Sequence, residues 1–327
     1  MHKRLINEAV LDLTIEPDGP ILIKAGKAGA DPTRPDMEFV RTWRDGKETV
    51  YLPGPSLKGV LRAHCERIAR TVEREGQRLA CDPLHESASC SKRLEKEAKK
   101  RGSLTGAEVH KGSCFICQFF GDTSLAGHLR TADAYPDDPQ EVRVEERDGV
   151  AIDRVFGSVA VGPFQLEVVT AGAFKTRLYL KNFTLAQVGL LALALRDLKQ
   201  GRVGIGFGKS RGLGHVTLSF DKLTIRYPMA EIVEVDGGQM VQMPGGRPVA
   251  SATQLAGVGL FIPDSGAYGY PVGAAEKVNL PNGLQVERGE WDEVVLQVSS
   301  EGDIEALWRT CVPAWVQAAQ KQGVADG

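Results

Sequence analysis

Two glycine-rich stretches decide the fold: residues 51–62 read YLPGPSLKGVLR, and residues 204–214 read GIGFGKSRGLG. The first carries turn residues and continues with apolar positions at helical spacing, which predicts a helix with Ser56 as its N-cap. The second follows a helical pattern over residues 184–201, with Gly201 as the C-cap, and leads into a strand. Each stretch therefore marks a junction between a helix and its neighbours in a mixed α+β fold.

Strand patterns surround both junctions. Residues 4–15 and 20–24 alternate apolar and polar side chains, and residues 38–43 and 48–53 predict a hairpin closed by an Asp-Gly turn. Because strand, helix and strand follow one another twice, the sequence predicts an α+β fold of the ferredoxin-like kind. Residues 229–327 are rich in Gly, Val and Pro and predict an extension or a small appended domain with a terminal helix.

Cations and free backbone amides coincide in both glycine-rich stretches. Lys58 and Arg62 lie four residues apart, on one face of a helix near its N-terminus, where an anion such as phosphate is favoured. Lys209 and Arg211 lie between glycines that let the backbone approach a phosphate closely. The order helix then strand is the reverse of the dinucleotide-binding fingerprint, and no Gly-Lys-[Ser/Thr] opens a helix as in a Walker A loop. A capped helix with solvated cations and a plain flexible turn are the alternative interpretations.

A cysteine group indicates a metal site. Four of the six cysteines fall within residues 81–117, namely Cys81, Cys90, Cys114 and Cys117. The Cys-x-x-Cys spacing suits zinc thiolates, and four of them form a closed, structural Zn²⁺ site. Such a metal explains how the polar insertion at residues 76–118 folds without an apolar core. His85 and His110 are alternate ligands, and a set of reduced surface cysteines is the alternative; Cys65 and Cys311 are expected in the core.

The composition of the 327 residues is that of a globular chain, with 42% hydrophobic and 25% charged residues. No apolar run approaches the roughly 18 residues of a membrane span, and the N-terminus is too polar for a secretory signal. We therefore expect a cytoplasmic location and no membrane partner. The net charge of −2 lacks the basic excess of a typical nucleic-acid binder, although residues 92–101 are locally basic.

Four motifs in one order resemble the RAMP superfamily, the guide-RNA-binding subunits of type III CRISPR effector complexes. The motifs are Pro53–Arg62, Cys114–Gly121, Asp133–Tyr135 and Gly206–Gly214, and the closest likeness is to the repeated backbone subunit. The resemblance implies a modified ferredoxin-like (RRM-like) core over residues 1–228, with a thumb hairpin at about residues 133–175 and a C-terminal extension.

The same resemblance implies roles for individual residues. Asp36, which precedes Phe39-Val40-Arg41, matches the position of a catalytic carboxylate, and Asp31 is the alternate. With a divalent cation such as Mg²⁺, this carboxylate would assist attack by a 2′-hydroxyl of the target RNA. The implied guide-binding residues are Ser56, Lys58, Arg62, Lys209, Ser210 and Arg211, and the implied apolar thumb tip is Val155, Phe156 and Val159.

The implied partners are guide (CRISPR) RNA, target RNA and other effector subunits, including copies or relatives of this chain. Two other functions stay open. The chain is a non-catalytic scaffold if Asp36 only caps a turn after Pro35. It is a guide-precursor-processing endoribonuclease if His215, directly after the second glycine-rich stretch, acts as a general base. Independently, ordinary strand packing is the alternative for the thumb-tip residues.

Overall fold

The computed structural model describes residues 4–26, 35–85 and 87–321, apart from the side chain of residue 321. The helices are α1 Gly54–Val72, α2 Cys90–Arg101, α3 Gly106–Gly112, α4 Phe115–Phe120, α5 Leu185–Lys199, α6 Ser265–Tyr268 and α7 Glu301–Lys321. The strands are β1 Glu8–Pro17, β2 Arg41–Arg44, β3 Lys47–Val50, β4 Leu129–Thr131, β5 Tyr135–Pro136, β6 Arg143–Ile152, β7 Val159–Ala171, β8 Phe174–Lys181, β9 Val216–Pro228, β10 Glu231–Val235, β11 Gly238–Gln242, β12 Ala250–Ser251, β13 Gln254–Ala256, β14 Lys277–Asn279, β15 Glu287–Arg288 and β16 Glu293–Val298.

The main sheet is antiparallel, with the strand order β15-β16-β9-β1-β8-β4 and a further pairing of β5 with β8. The last four strands of this order, β9-β1-β8-β4, follow the fourth-first-third-second order of a β-α-β-β-α-β unit, which confirms the predicted ferredoxin-like core. The central strand β1 buries alternate residues, Leu11, Leu13 and Ile15, as its period-2 pattern requires.

Helices α5 and α7 cover the face of the sheet to which Leu11 points. Leu191 of α5 and Trp308 of α7 meet the leucines of the central strands there. The two helices pack closely because α5 carries Gly189, where a Cβ would lie 2.4 Å from the carbonyl oxygen of Cys311. Close backbone contact thus explains a glycine in the middle of a buried helix. Cys65 and Cys311 are fully buried, as predicted.

The residues beyond 228, predicted as an extension or a small appended domain, contribute a strand of the main sheet and a helix to this core. Strand β16 pairs with β9, so that Val294 lies opposite Tyr227 and Leu296 opposite Ile225. Helix α7 then packs beside α5. Among the described strands beyond residue 228, β10–β12 and the pair β13–β14 form separate small sheets. The alternating apolar residues of β16 provide one more buried strand face, and this pairing was not foreseen.

Local boundaries agree with the sequence patterns in most places. The predicted Asp-Gly hairpin is β2–β3, with Asp45 and Gly46 both at positive φ as a type I′ turn requires. Helix α5 begins with a Thr184 capping box and ends before Gly201, which has φ 69°. Helix α1, however, begins at Gly54 after an N-cap at Pro53, so Ser56 lies in its first turn and is not the cap. No helix in the described ranges is both long and apolar enough to cross a bilayer.

Candidate nucleic-acid interface and metal centre

The N-terminus of α1 is held by a residue from a distant loop. The Gly54 amide donates a hydrogen bond to Asp133 Oδ1 at 2.7 Å, and Thr131 Oγ1 donates to the Gly54 carbonyl oxygen at 2.5 Å. A Cβ at Gly54 would lie 2.5 Å from the Thr131 carbonyl oxygen. The Asp133 motif therefore fixes where the helix starts, a role that its sequence position did not reveal.

Lys58 is a half-buried cation of α1 that makes no ion pair within the described part of the chain. Burial, and then the charge of Arg62, lower the pKa of Lys58. Burial without an anionic partner makes a lysine favourable for an incoming phosphate, which restores the missing counter-charge. Ser56 lies partly exposed in the same first turns of the helix.

The second glycine-rich stretch presents its cations on a short turn. Residues Lys209–Arg211 form a single 3-10 turn between Gly208 (φ 73°) and Gly212 (φ 79°), and all three side chains are exposed. Burial, and then the charge of Arg67 on α1, lower the pKa of Lys209. Lys209 therefore lies close enough to Arg67 of α1 for their charges to interact, and Arg67 is a cation that the sequence patterns did not single out.

The glycines of this loop are required by its contact with residues 20–25. Gly206 has φ 72°, and a Cβ there would lie 2.2 Å from the Leu22 carbonyl oxygen. That same oxygen accepts a hydrogen bond from the Phe207 amide at 2.7 Å. The residues 20–24 were predicted as a strand, but they form only isolated bridges, at Ile21 and Lys24. They lie between the second glycine-rich loop and the segment that contains Asp36.

Asp36 belongs to a segment that contacts the other side of residues 20–25. The Val40 amide donates to the Ile23 carbonyl oxygen at 2.9 Å, and the Met37 amide donates to the Gln165 carbonyl oxygen at 3.1 Å. Asp36 is exposed; its Oδ2 accepts a hydrogen bond from the Gln165 amide at 3.1 Å, and its Oδ1 makes no hydrogen bond with the described residues. One carboxylate oxygen is thus fixed by strand β7 of the β6–β7 hairpin, on an exposed side chain. The alternate, Asp31, lies outside the described residues.

A buried ion pair holds the Asp36 segment against β7. Both guanidinium Nη atoms of Arg41 donate to the Glu167 carboxylate, Nη1 to Oε2 at 2.6 Å, and the Phe39 amide donates to Oε2 at 2.8 Å. Hydrogen bonding to Glu167 raises the pKa of Arg41. Glu167 was missed by sequence reasoning, although a single carboxylate within the apolar run 166–169 was the available signal.

The thumb hairpin expected at residues 133–175 corresponds to β6 and β7. Its turn is closed by Asp153, whose Oδ1 accepts hydrogen bonds from the Val155 and Phe156 amides. The tip is apolar yet exposed, with Val155 at 81%, Phe156 at 84% and Val159 at 57% exposure. The described residues therefore leave these side chains largely exposed, and their role as the thumb tip stays a prediction. An exposed apolar tip of this kind is typical of a contact with a partner.

The four cysteines converge at the candidate metal centre. The Sγ atoms of Cys81, Cys90, Cys114 and Cys117 all lie within 4.8 Å of one another, and those of Cys81 and Cys117 are 3.5 Å apart. A tetrahedral zinc with bonds of about 2.3 Å has ligand–ligand distances of about 3.8 Å. The arrangement therefore fits one structural ion. Hydrogen bonds from Cys114, and then from Cys117, lower the pKa of Cys81 and set that of Cys90 to about 7.

Neither histidine named as an alternate ligand takes part, which corrects that part of the prediction. His85 is exposed and its Nδ1 lies 2.9 Å from Asp82 Oδ2. His110 is buried in another cluster, with its Nε2 3.3 Å from His128 Nε2 and its Nδ1 2.8 Å from the Tyr268 carbonyl oxygen. Four thiol groups suffice for the coordination shell, so no histidine is needed.

Two residues near the Lys58 face have protein partners. His64 Nε2 lies 2.8 Å from Asp197 Oδ2, which ties α1 to α5 and leaves no solvated imidazole. Arg62 points to the cysteines, with its Nη2 3.7 Å from Cys117 Sγ and its Nη1 donating to the Gly121 carbonyl oxygen at 2.8 Å. His215 is exposed beside Gly201, at the end of α5.

A family model described as the RAMP superfamily matches residues 14–217. The match covers more than half of the chain, and it includes α1, the cysteines, the thumb hairpin and the second glycine-rich loop. The chain thus shares with that family the segments on which the resemblance was based. No curated protein matches the sequence.

Proposed function

The chain belongs to the RAMP superfamily of CRISPR-associated RNA-binding proteins, and from this premise we propose that it is a guide-RNA-binding backbone subunit of a type III CRISPR effector complex. We propose further that it cleaves the target RNA paired to the guide. The observation that carries the proposal is that residues 20–25 contact both the second glycine-rich loop and the Asp36 segment.

Guide binding is supported by the cations around α1 and the 3-10 turn. Lys58, Lys209 and Arg211, together with the hydroxyl groups of Ser56 and Ser210, would contact guide phosphates. Phosphate contacts fix register but carry no sequence information, so base pairing by the guide would select the target. The exposed apolar thumb tip would separate a target nucleotide from its neighbours, since apolar wedges unstack bases.

Cleavage is supported by the position of Asp36 between strand β7 of the thumb hairpin and residues 20–25. In the proposed step, the target 2′-hydroxyl loses its proton and attacks the adjacent phosphorus, and the 5′-oxygen of the next nucleotide leaves. Oδ1 of Asp36 would orient or deprotonate the hydroxyl, while Oδ2 stays fixed by the Gln165 amide. A bound divalent cation such as Mg²⁺ would supply charge neutralisation at the phosphate.

The test is Asp36→Asn in the assembled complex. The amide keeps an oxygen that can accept from the Gln165 amide but removes the charge, so we expect cleavage of guide-paired target to be lost with guide affinity unchanged. Asp31→Ala is the control and is expected to cut. A target with 2′-deoxyribose at the cut site should resist cleavage, because the nucleophile is absent. Wild-type cutting by Asp36→Asn would refute the assignment.

The same experiment separates the alternatives. If the wild-type complex binds guide and target but cuts neither, the chain is a scaffold. If His215→Ala abolishes cutting of a guide precursor while Asp36→Asn does not, the processing function is correct. The exposure of His215 beside Gly201 leaves it accessible to a substrate, whereas no described acidic residue is hydrogen-bonded to its side chain.

A further inference from the structure

One face of α1 carries three charged residues, one helical turn apart, that reach the candidate metal centre. Arg62 Nε donates to Glu66 Oε1 at 3.0 Å, and Arg70 Nη2 donates to Glu66 Oε2 at 3.2 Å. Each arginine then contacts one cysteine: Arg62 the Cys117 sulfur at 3.7 Å, and Arg70 the Cys81 carbonyl oxygen at 2.9 Å. Glu66 thus holds two cations in place against the cysteine cluster.

The charge at the centre explains why cations are needed there. Four thiolates on one Zn²⁺ carry a net charge of −2, and burial makes uncompensated charge unfavourable. A guanidinium that donates N–H to a thiolate compensates part of this charge and orients the ligand, as outer-shell donors do in other metal sites. Three partners, Glu66, Gly121 and Cys117, surround the planar guanidinium group of Arg62.

Lys58, one turn earlier on the same helix, is placed differently. It has no carboxylate partner among the described residues, and burial with the nearby Arg62 charge lowers its pKa. Arg62, the next charged residue on that face, contacts the cysteine cluster. The two cations, predicted from their spacing to share one task, therefore have different surroundings.

We propose that Arg62 is a positioning residue for the zinc thiolates rather than a phosphate ligand, and that it links metal binding to the placement of α1. The second half rests on the proposed function, because Lys58 on α1 is there a guide contact. The first half concerns zinc alone and is independent of RNA.

The test compares Arg62→Met with Lys58→Met in the full chain. Both variants remove one positive charge from α1 and keep an unbranched apolar stem. Zinc affinity is measured without RNA, by competition with a chromophoric chelator. We expect Arg62→Met to weaken zinc binding about 10- to 100-fold, as loss of an outer-shell partner does, and Lys58→Met to leave it unchanged.

Guide affinity is then measured against salt concentration with zinc at saturation. Removal of one phosphate contact reduces the log–log slope by about 0.7 for a single strand. We expect this reduction in Lys58→Met and the wild-type slope in Arg62→Met. Arg62→Lys is a second variant, which keeps the positive charge but lacks the planar guanidinium group. Its zinc affinity should therefore stay below that of the wild type. This variant also allows the test if Arg62→Met does not fold.

The outcomes are distinct. An Arg62→Met protein with wild-type zinc affinity and a reduced salt slope would make Arg62 a phosphate ligand and overturn the inference. Unchanged zinc affinity in both Arg62 variants would also overturn it. If the zinc results hold but Lys58→Met keeps the wild-type slope, the guide-binding face is wrong while the role of Arg62 at the metal stands.

Discussion

Replacing Arg41 by methionine tests whether the buried ion pair holds the Asp36 segment. The Glu167 carboxylate is only 9% exposed, and in the variant it would keep the hydrogen bond from the Phe39 amide. Removing one partner of a buried pair costs about 3–5 kcal/mol, and the remaining amide contact places this case at about 3 kcal/mol. Urea denaturation at neutral pH measures the loss, and hydrogen exchange at amides 37–40 locates it.

A second substitution makes the reasoning refutable. In Arg41→Met with Glu167→Gln, no charge is left buried and the glutamine oxygen still accepts from the Phe39 amide. The double variant should therefore be more stable than Arg41→Met alone, by about 2 kcal/mol. If Arg41→Met costs less than about 1 kcal/mol, as exposed pairs do, or if Glu167→Gln adds to the damage, the pair does not hold the segment.

Three further predictions concern other parts of the molecule. Gly206→Ala should destabilise the chain more than Gly212→Ala in thermal melts: both glycines have positive φ, a strain of about 1–2 kcal/mol, but only a Cβ at Gly206 meets backbone, 2.2 Å from the Leu22 carbonyl oxygen. Burial raises the pKa of Glu276 to about 8, so the folded state retains a proton that the unfolded state loses above its lower pKa. Stability should then fall between about pH 4.5 and 8 by up to about 1.4 kcal/mol per unit, and Glu276→Gln should remove that slope in urea titrations from pH 5 to 9. Metal analysis of the purified chain should give about one zinc, whereas Cys117→Ser should lower this ratio and increase hydrogen exchange in residues 81–117; full zinc retention would contradict the site.

Sequence patterns located the local elements well because their causes are local. The Asp-Gly hairpin needs only two residues at positive φ, and the cysteine spacing reflects a ligand geometry that any fold must respect. The structure brings those four cysteines together without the two histidines. The guide-binding and catalytic assignments depend on a partner, and they stay predictions.

What the sequence did not reveal depends on contacts between distant residues. Asp133 caps a helix that starts 79 positions earlier, and Glu167 binds Arg41 across 126 positions. The pairing of β16 with β9 similarly joins segments that have no shared pattern. Arg62 shows the same limit, since helical spacing predicts which face a side chain occupies but not what packs against that face.

The late position of β16 has a consequence for synthesis of the chain. Strand β9 ends at Pro228, whereas its partner begins only at Glu293. A nascent chain therefore emerges from the ribosome with the outer edge of β9 unpaired and with the apolar surface under α7 uncovered. Open strand edges invite pairing with other chains, and domains form as they are made. The interval before the last strand and helix are released is thus the period in which this protein depends most on protection from aggregation.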